Sequence, residues 1–146
     1  MAAIIKLDLL TQASSTMADP TKKRIAIFGS TGSIGTQALD VIRANPGRFE
    51  VEILTAQSNH ELLVAQALEF SPNAVVIGDE TRYEKVKSAL SQTDVKVFAG
   101  EEALEEVADF DTYDMMLAAI VGFAGLKPTL KAVQNGKAVG LANKET

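Results

Sequence analysis

Cysteine is missing from this 146-residue chain, which excludes disulfides, thiolate metal sites and a thiol nucleophile together. Basic residues are outnumbered, 14 Lys and Arg against 19 Asp and Glu, for a net charge of −5. Such a balance leaves no general positive field to hold nucleic acid or anionic lipid. Neither a nucleic-acid nor a membrane partner is therefore expected, and any phosphate recognition has to be local. Long apolar runs are lacking as well. Residues 1–10 are apolar but include Lys6 and Asp8, a stretch too short and too charged to span a bilayer. With no basic start, and with Asp8 breaking the apolar part, it does not read as a secretory signal either. The lack of cysteine is compatible with the cytosol, and a cytoplasmic location is the expectation. Residues 11–23 (TQASSTMADPTKK) are polar, small and aperiodic. Residues 1–21 are read as a flexible N-terminal tail and residues 22–146 as one folded domain, long enough to bury a real core.

What is present is a glycine-rich turn in an informative place. Residues 29–35 read GSTGSIG. Directly before them, Arg24-Ile25-Ala26-Ile27-Phe28 reads as a buried strand; directly after, Ile34, Ala38, Val41 and Ile42 recur at helical spacing. A strand that turns through glycines into a helix leaves backbone N–H groups free at the helix N-terminus, where the helix dipole favours negative charge. Glycine lets such a turn bend sharply, approach a pyrophosphate and pack its helix closely on the strand. The ligand this points to is a dinucleotide. The spacing is G-x-x-G-x-x-G rather than G-x-G-x-x-G, and a turn of this kind can also be a tight connection and nothing more. Its place at the start of a βαβ unit favours the nucleotide.

Strand-like and helix-like segments alternate from Arg24 onward. Residues 50–56 (EVEILTA) read as a second strand entered through Asn45-Pro46-Gly47. Ser58-Asn59-His60-Glu61 has the S-x-x-E form of a capping box, which makes Ser58 the expected cap of the helix that follows. Residues 74–77 read as a third strand, and residues 81–90 as an amphipathic helix with Tyr83, Val86, Ala89 and Leu90 facing inward. Residues 95–99 are a short fourth strand and residues 101–108 an acidic helix. Glu101, Glu102, Glu105 and Glu106 on that helix suit a solvated face better than a metal site. Residues 115–120 are a fifth strand, wholly apolar, with Met115 and Met116 in the core. A turn over residues 122–125, a helix with Pro128 in its first turn and Asn135-Gly136 at its end, and a sixth strand over residues 138–141 complete the pattern. The fold class is α/β: a doubly wound, Rossmann-like parallel sheet with helices on both faces.

In such sheets ligands bind at the carboxyl ends of the strands, so the loops at residues 29–35, 56–59, 119–125 and 142–146 matter. An NAD site usually places a carboxylate at the end of the second strand, to accept hydrogen bonds from the ribose 2′-hydroxyl. Here that end reads Ala56-Gln57-Ser58-Asn59, while Glu50 and Glu52 lie at the other end of the strand. NADP is favoured over NAD. No Arg or Lys stands beside Ser58, and Lys22, Lys23 and Arg24 are candidates for the 2′-phosphate only by their nearness to the first loop in sequence. His60, the single histidine, suits a surface position near the nucleotide better than general base catalysis. At the chain's end Lys144 has the chemistry to bind a substrate phosphate or carbonyl and Asn143 to bond the nicotinamide ribose, although a solvated loop would read the same way.

The glycine turn, together with Ala118-Ala119-Ile120-Val121-Gly122 and Leu141-Ala142-Asn143-Lys144-Glu145, makes a recognisable set. So do Leu39-Asp40-Val41-Ile42, Asn45-Pro46 and Leu68-Glu69-Phe70-Ser71-Pro72. From Lys23 to Thr146 the chain closely resembles the N-terminal cofactor domain of the 1-deoxy-D-xylulose-5-phosphate reductoisomerase family. The resemblance implies an NADPH-dependent oxidoreductase of non-mevalonate isoprenoid biosynthesis, which converts 1-deoxy-D-xylulose 5-phosphate to 2-C-methyl-D-erythritol 4-phosphate. It implies that Thr31, Gly32, Ser33 and Ile34 contact the NADPH phosphates and that Asn59 lies near the adenosine ribose. Asn143 and Glu145 would belong to the cofactor site and Lys144 would contact the sugar phosphate. Gln57 departs from the pattern, because the family commonly has glycine there.

The same resemblance implies a divalent metal, magnesium or manganese, and a homodimer for the full-length enzyme. The family's metal-binding carboxylates and most of its substrate site correspond to positions beyond Thr146, so no catalytic or metal-ligating residue is assigned within this chain. It reads as the cofactor part of such an enzyme, expected to bind NADPH and turn over little substrate alone. Two other readings stay open from the sequence: a non-catalytic NADP-sensing module, and another NADP-dependent dehydrogenase. The semialdehyde type of the latter needs the cysteine nucleophile that is missing here.

Overall fold

The computed structural model describes residues 22–120 and 122–141. The segment expected to be a tail, residues 1–21, and the residues Asn143, Lys144 and Glu145 lie outside the described residues. Continuous runs of apolar residues make the inner strands. Ile25-Ala26-Ile27-Phe28 ends β1 (Lys23–Phe28), and Ala74-Val75-Val76-Ile77 makes up β3 (Ala74–Ile77). All eight residues are buried, as strands covered on both faces require. The remaining strands are β2 (Phe49–Ala56), β4 (Lys96–Ala99), β5 (Met115–Ala118) and β6 (Ala138–Leu141). They form one sheet in the order β4-β3-β2-β1-β5-β6, and every neighbouring pair is parallel. The chain winds outward from β1 to β4, then returns to lay β5 on the other side of β1. The strand order therefore reverses between β1 and β5, the switch point at which such sheets open a crevice.

The helices are α1 (Ser33–Ala44), α2 (His60–Phe70), α3 (Tyr83–Ala89), α4 (Glu101–Ala108) and α5 (Leu126–Gln134). Alternation along the strands divides the core into two layers. Ile25 and Ile27 of β1 pack with Ala38, Leu39 and Ile42 of α1, Leu63 and Ala67 of α2 and Val86 of α3. Ala26 and Phe28 point to the other face, against Ala103, Leu104 and Val107 of α4 and Ala132 of α5. Helices thus cover both faces, as the alternating pattern predicts. The pairing of β1 with β2 slips by one residue, from Ile25 opposite Val51 to Ala26 opposite Ile53. This β-bulge leaves Glu52 as the extra residue, and burial pushes its carboxyl above the ordinary range.

Three local expectations need correction. Helix α2 is capped by Asn59, whose Oδ1 accepts from Leu62 N at 3.2 Å, and not by Ser58. The backbone carbonyl of Ser58 takes the His60 N–H instead. The segment over residues 81–90 opens as a 3₁₀ turn at Glu80–Arg82 before α3 begins. Only Val86 and Leu90, one helical repeat apart, reach the core there, and Ala89 is exposed. Strand β5 stops at Ala118, two residues early, because its partner β1 turns away at Gly29 and no ladder remains beyond Phe28 opposite Ala118.

Candidate functional site

The turn at residues 29–35 is shaped by three glycines with three different surroundings. Gly29 sits at φ +97°, and a Cβ there would lie 2.8 Å from the Ala119 carbonyl oxygen. Both the backbone angle and the closeness of the β5 exit demand glycine. At Gly35 a Cβ would fall 2.2 Å from Gly29 O and 2.6 Å from Ser30 Cα, so the missing side chain lets α1 rest directly on the end of β1. At Gly32 the nearest atom would be 3.9 Å away, which leaves that position open. Gly32 is also the N-cap of α1. It supplies no side-chain cap, and the first turn carries no acidic residue. The positive pole of α1 and its first amides therefore face an open space at the switch point.

Buried polar residues hold this turn from beneath. Gly29 N donates to Thr55 Oγ1 at 3.0 Å and Ser30 N to Thr55 O at 2.8 Å. Gln66, on α2, exchanges two hydrogen bonds with Ser30: Ser30 Oγ donates to Oε1 at 2.7 Å, and Nε2 donates to Ser30 O at 3.0 Å. Ser30, Thr55 and Gln66 are each at most 5% exposed, so every one of these groups would be costly to leave unpaired. Ile34 rests against the apolar core, which leaves its backbone N–H as the part aimed outward. Thr31 is half-buried, and Gly32 and Ser33 are exposed. The structure brings Thr31, Gly32, Ser33 and Ile34 together around one helix end.

The second loop lies alongside. Gly78 N donates to Ala56 O and Asp79 N to Gln57 O, both at 2.8 Å, which extends the pairing of β2 and β3 beyond the strands. The Gln57 side chain lies across the exit of β3, so close that a Cβ on Gly78 would meet its Oε1 at 2.4 Å. Gly78, directly after β3, thus leaves the room that the Gln57 side chain occupies. Asn59 is exposed, and with Oδ1 used as the cap of α2 its free donor is the Nδ2 group. Asp79 anchors the 3₁₀ turn: Oδ1 accepts from Thr81 Oγ1 at 2.6 Å and from Thr81 N at 3.0 Å, and Oδ2 accepts from Arg82 Nε at 3.1 Å. The Thr81 hydroxyl first, then its N–H and Arg82, hold the Asp79 carboxyl below the ordinary range. Arg82 Nη1 lies 3.0 Å from His60 Nδ1. A guanidinium only donates, so Nδ1 is the acceptor and the His60 proton is on Nε2.

Arg82 is the basic residue the sequence reading missed. The three cations named for their nearness in sequence are at the wrong end of the sheet. Lys23 and Arg24 open β1, and Lys22 precedes it. Arg24 is held there by Asp114, with Nη2 to Oδ1 at 2.9 Å and Nε to Oδ2 at 3.2 Å. The signal that finds Arg82 is topological: β3 neighbours β2, so residues just after β3 share the edge with residues just after β2. The third loop, after β5, follows β1 to the same edge, with Ala119 N donating to Phe28 O at 2.8 Å. Strand β6 pairs Leu141 with Ala118, so it also leaves the sheet there. Glu101, Glu102 and Glu106 lie on the exposed side of α4. Among the described residues no group of three or more His, Asp or Glu is placed to hold a metal ion, and no helix is long and apolar enough to cross a membrane.

A family model described as 1-deoxy-D-xylulose 5-phosphate reductoisomerase matches residues 25–146. The enzyme of that name from Phocaeicola vulgatus is 54% identical over 125 residues, covering 86% of this chain and 33% of the relative. Its counterpart from Chloroherpeton thalassium is 48% identical over 124 residues, with coverages of 85% and 32%. Among solved structures, the reductoisomerase from Zymomonas mobilis in complex with NADPH superposes with a TM-score of 0.81 at 42% identity, over 86% of this chain and 33% of that one. A reductoisomerase in complex with NADPH, fosmidomycin and magnesium gives 0.79 at 38% identity, over 84% and 30%. The chain spans about a third of the length of the relatives it matches.

Proposed function

This chain belongs to the 1-deoxy-D-xylulose 5-phosphate reductoisomerase family, and on that premise we propose that it is the NADPH-binding part of such an enzyme. The whole enzyme converts 1-deoxy-D-xylulose 5-phosphate to 2-C-methyl-D-erythritol 4-phosphate. The observation that carries the reading is the bare N-terminus of α1 at the switch point, with Gly32 open above it and Gly29 and Gly35 packed tight on either side. A diphosphate fits a pole of free amides that no carboxylate occupies. Residues 22–146 act as the cofactor domain.

Thr31, Gly32, Ser33 and Ile34 take the diphosphate through backbone amides and the two hydroxyls. Asn59, with its acceptor committed to the helix cap, donates through Nδ2 to the adenosine ribose. Asn143 and Glu145 hold the nicotinamide end and Lys144 the sugar phosphate; all three lie beyond the described residues, after a strand that exits at this edge. When bound, the nicotinamide supplies the hydride. What the chain's own residues do is fix that ring at the mouth of the crevice between the β1 and β5 exits, where Gly29 and the Ala119 backbone lie close together.

Carboxylates of the longer enzyme would hold a divalent ion, magnesium or manganese, whose chemistry there would be to polarise the carbonyl. The longer enzyme is also read as a cytoplasmic homodimer. Neither an NADP-sensing module nor another NADP-dependent dehydrogenase is favoured by the family match. Calorimetric titration of the chain tests the reading: NADPH binds with one-to-one stoichiometry, and a folded sample that binds no dinucleotide overturns it. In a steady-state assay with magnesium and the sugar phosphate, the chain alone turns over no more than a trace; robust turnover would show that the active site is misplaced.

A further inference from the structure

We propose that Arg82, reaching across from the exit of β3, is the residue that recognises the 2′-phosphate of the dinucleotide; the inference rests on the NADPH reading above. A ribose 2′-phosphate at the end of β2 brings negative charge to a loop, residues 56–59, with no cation of its own. Lys23 and Arg24 are at the opposite end of the sheet, where Arg24 is engaged by Asp114. The charge has to be met from another strand.

Arg82 is placed for it. The backbone bonds from Gly78 to Ala56 and from Asp79 to Gln57 lock the β3 exit against the ribose loop. The guanidinium then reaches His60, the residue that follows Asn59 and begins α2. It is held at two points, Nε by Asp79 and Nη1 by His60 Nδ1. Its Nη2 group makes no hydrogen bond among the described residues, and the side chain is 37% exposed. A guanidinium oriented on two sides and open on the third is already set for a phosphate oxygen, and its planar fork suits that group. The Ser58 hydroxyl adds a further donor on the same loop.

Asp79 is the opposing charge. It accepts both Thr81 donors in addition to Arg82, so it stays tied to its own turn while the guanidinium faces the phosphate. The arrangement also explains how a chain lacking a cation beside Ser58 can prefer the phosphorylated cofactor. The cation comes from the neighbouring strand instead of from the loop itself.

The experiment is calorimetric titration of the chain, R82M and R82K with NADPH and NADH, and with 2′-AMP and 5′-AMP as minimal probes. A charge-assisted contact to phosphate predicts that R82M binds NADPH about 10- to 100-fold more weakly. Its NADH affinity stays within about twofold of the parent, and 2′-AMP binding falls while 5′-AMP binding does not. R82K recovers part of the loss, because it restores the charge without the fork. Arg82 is on the surface, and an unchanged melting temperature in R82M shows that the fold is intact. If R82M keeps the parent's ratio of NADPH to NADH affinity, the assignment of Arg82 is wrong while the cofactor reading stands. A parent chain that binds both dinucleotides equally also sinks only this assignment. A parent chain that binds neither ends both.

Discussion

A methyl group added at Gly35 would lie 2.2 Å from the Gly29 carbonyl oxygen, whereas at Gly32 it would come no nearer than 3.9 Å to any atom. Two glycines three residues apart therefore make opposite predictions. G35A drives Cβ into backbone that has no room to give, and it should destabilise the fold by about 2–3 kcal/mol in urea unfolding. G32A meets open space at φ −79°, a conformation alanine adopts freely, and it should leave stability within about 0.5 kcal/mol of the parent. Its effect belongs to the ligand. A side chain on the floor of the anion site should weaken NADPH by about tenfold or more, the equivalent of one charge-assisted hydrogen bond. Were G32A to bind NADPH as tightly as the parent, the diphosphate would not lie over this turn. Residue by residue, the sequence showed which positions are glycine and why the family's turn needs them. It did not show that Gln66, which reads as an ordinary helix residue, reaches back to fix Ser30. That bond joins residues 36 apart, and no local pattern encodes it.

At the scale of elements, the strands were legible because each inner strand of this parallel sheet carries a short apolar run, such as Ile25–Phe28 in β1 and Ala74–Ile77 in β3. Both β3 and α4 stand where the pattern puts them, at Ala74–Ile77 and Glu101–Ala108. The cap of α2 was misplaced by one residue because Ser58 and Asn59 both have capping side chains. The end of β5 was not legible, because it depends on β1 turning away from it. Arg82 was missed for the same reason, as strand order is a tertiary fact. The Arg24–Asp114 pair shows an element-scale contact that can be titrated, for it joins the entry of β1 to the entry of β5. Asp114 lies below its ordinary range, chiefly through the Arg24 side-chain hydrogen bond, with burial opposing. The folded state therefore takes up a proton less readily than the unfolded chain. Stability is fully present above the unfolded value of about 3.9 and is lost as pH falls through the depressed folded value. The Arg24 side chain is 41% and that of Asp114 33% exposed, so solvent screens the pair and its contribution is about 1 kcal/mol at most. D114N should be less stable than the parent at neutral pH, with the two unfolding curves converging as pH falls below about 4. A gap that stays constant down to acid pH would assign the loss to packing instead.

On the scale of the whole molecule, the proposed ligand crosses the switch point and touches loops that follow strands on both sides of it. These loops belong to one sheet, whose two cores share β1 as the central strand, with Ile25 and Ile27 in one and Ala26 and Phe28 in the other. Unfolding should therefore release the ligand in a single step rather than loop by loop. A ligand bound only by the folded chain stabilises it by RT ln(1 + [L]/Kd), about 2.7 kcal/mol at a hundredfold excess over Kd. For a domain of this size each kcal/mol moves the melting temperature by roughly 3–6 °C. NADPH at a hundredfold excess over Kd should thus raise the midpoint by about 8–16 °C in one cooperative transition. NADH at the same concentration should give a smaller shift, and R82M should reduce the NADPH shift to the NADH level. Two transitions, only one of them moved by NADPH, would mean that the β1–β4 half folds independently of β5 and β6. The crevice would then not be a fixed feature of the fold, and the site would have to be assembled by the ligand itself.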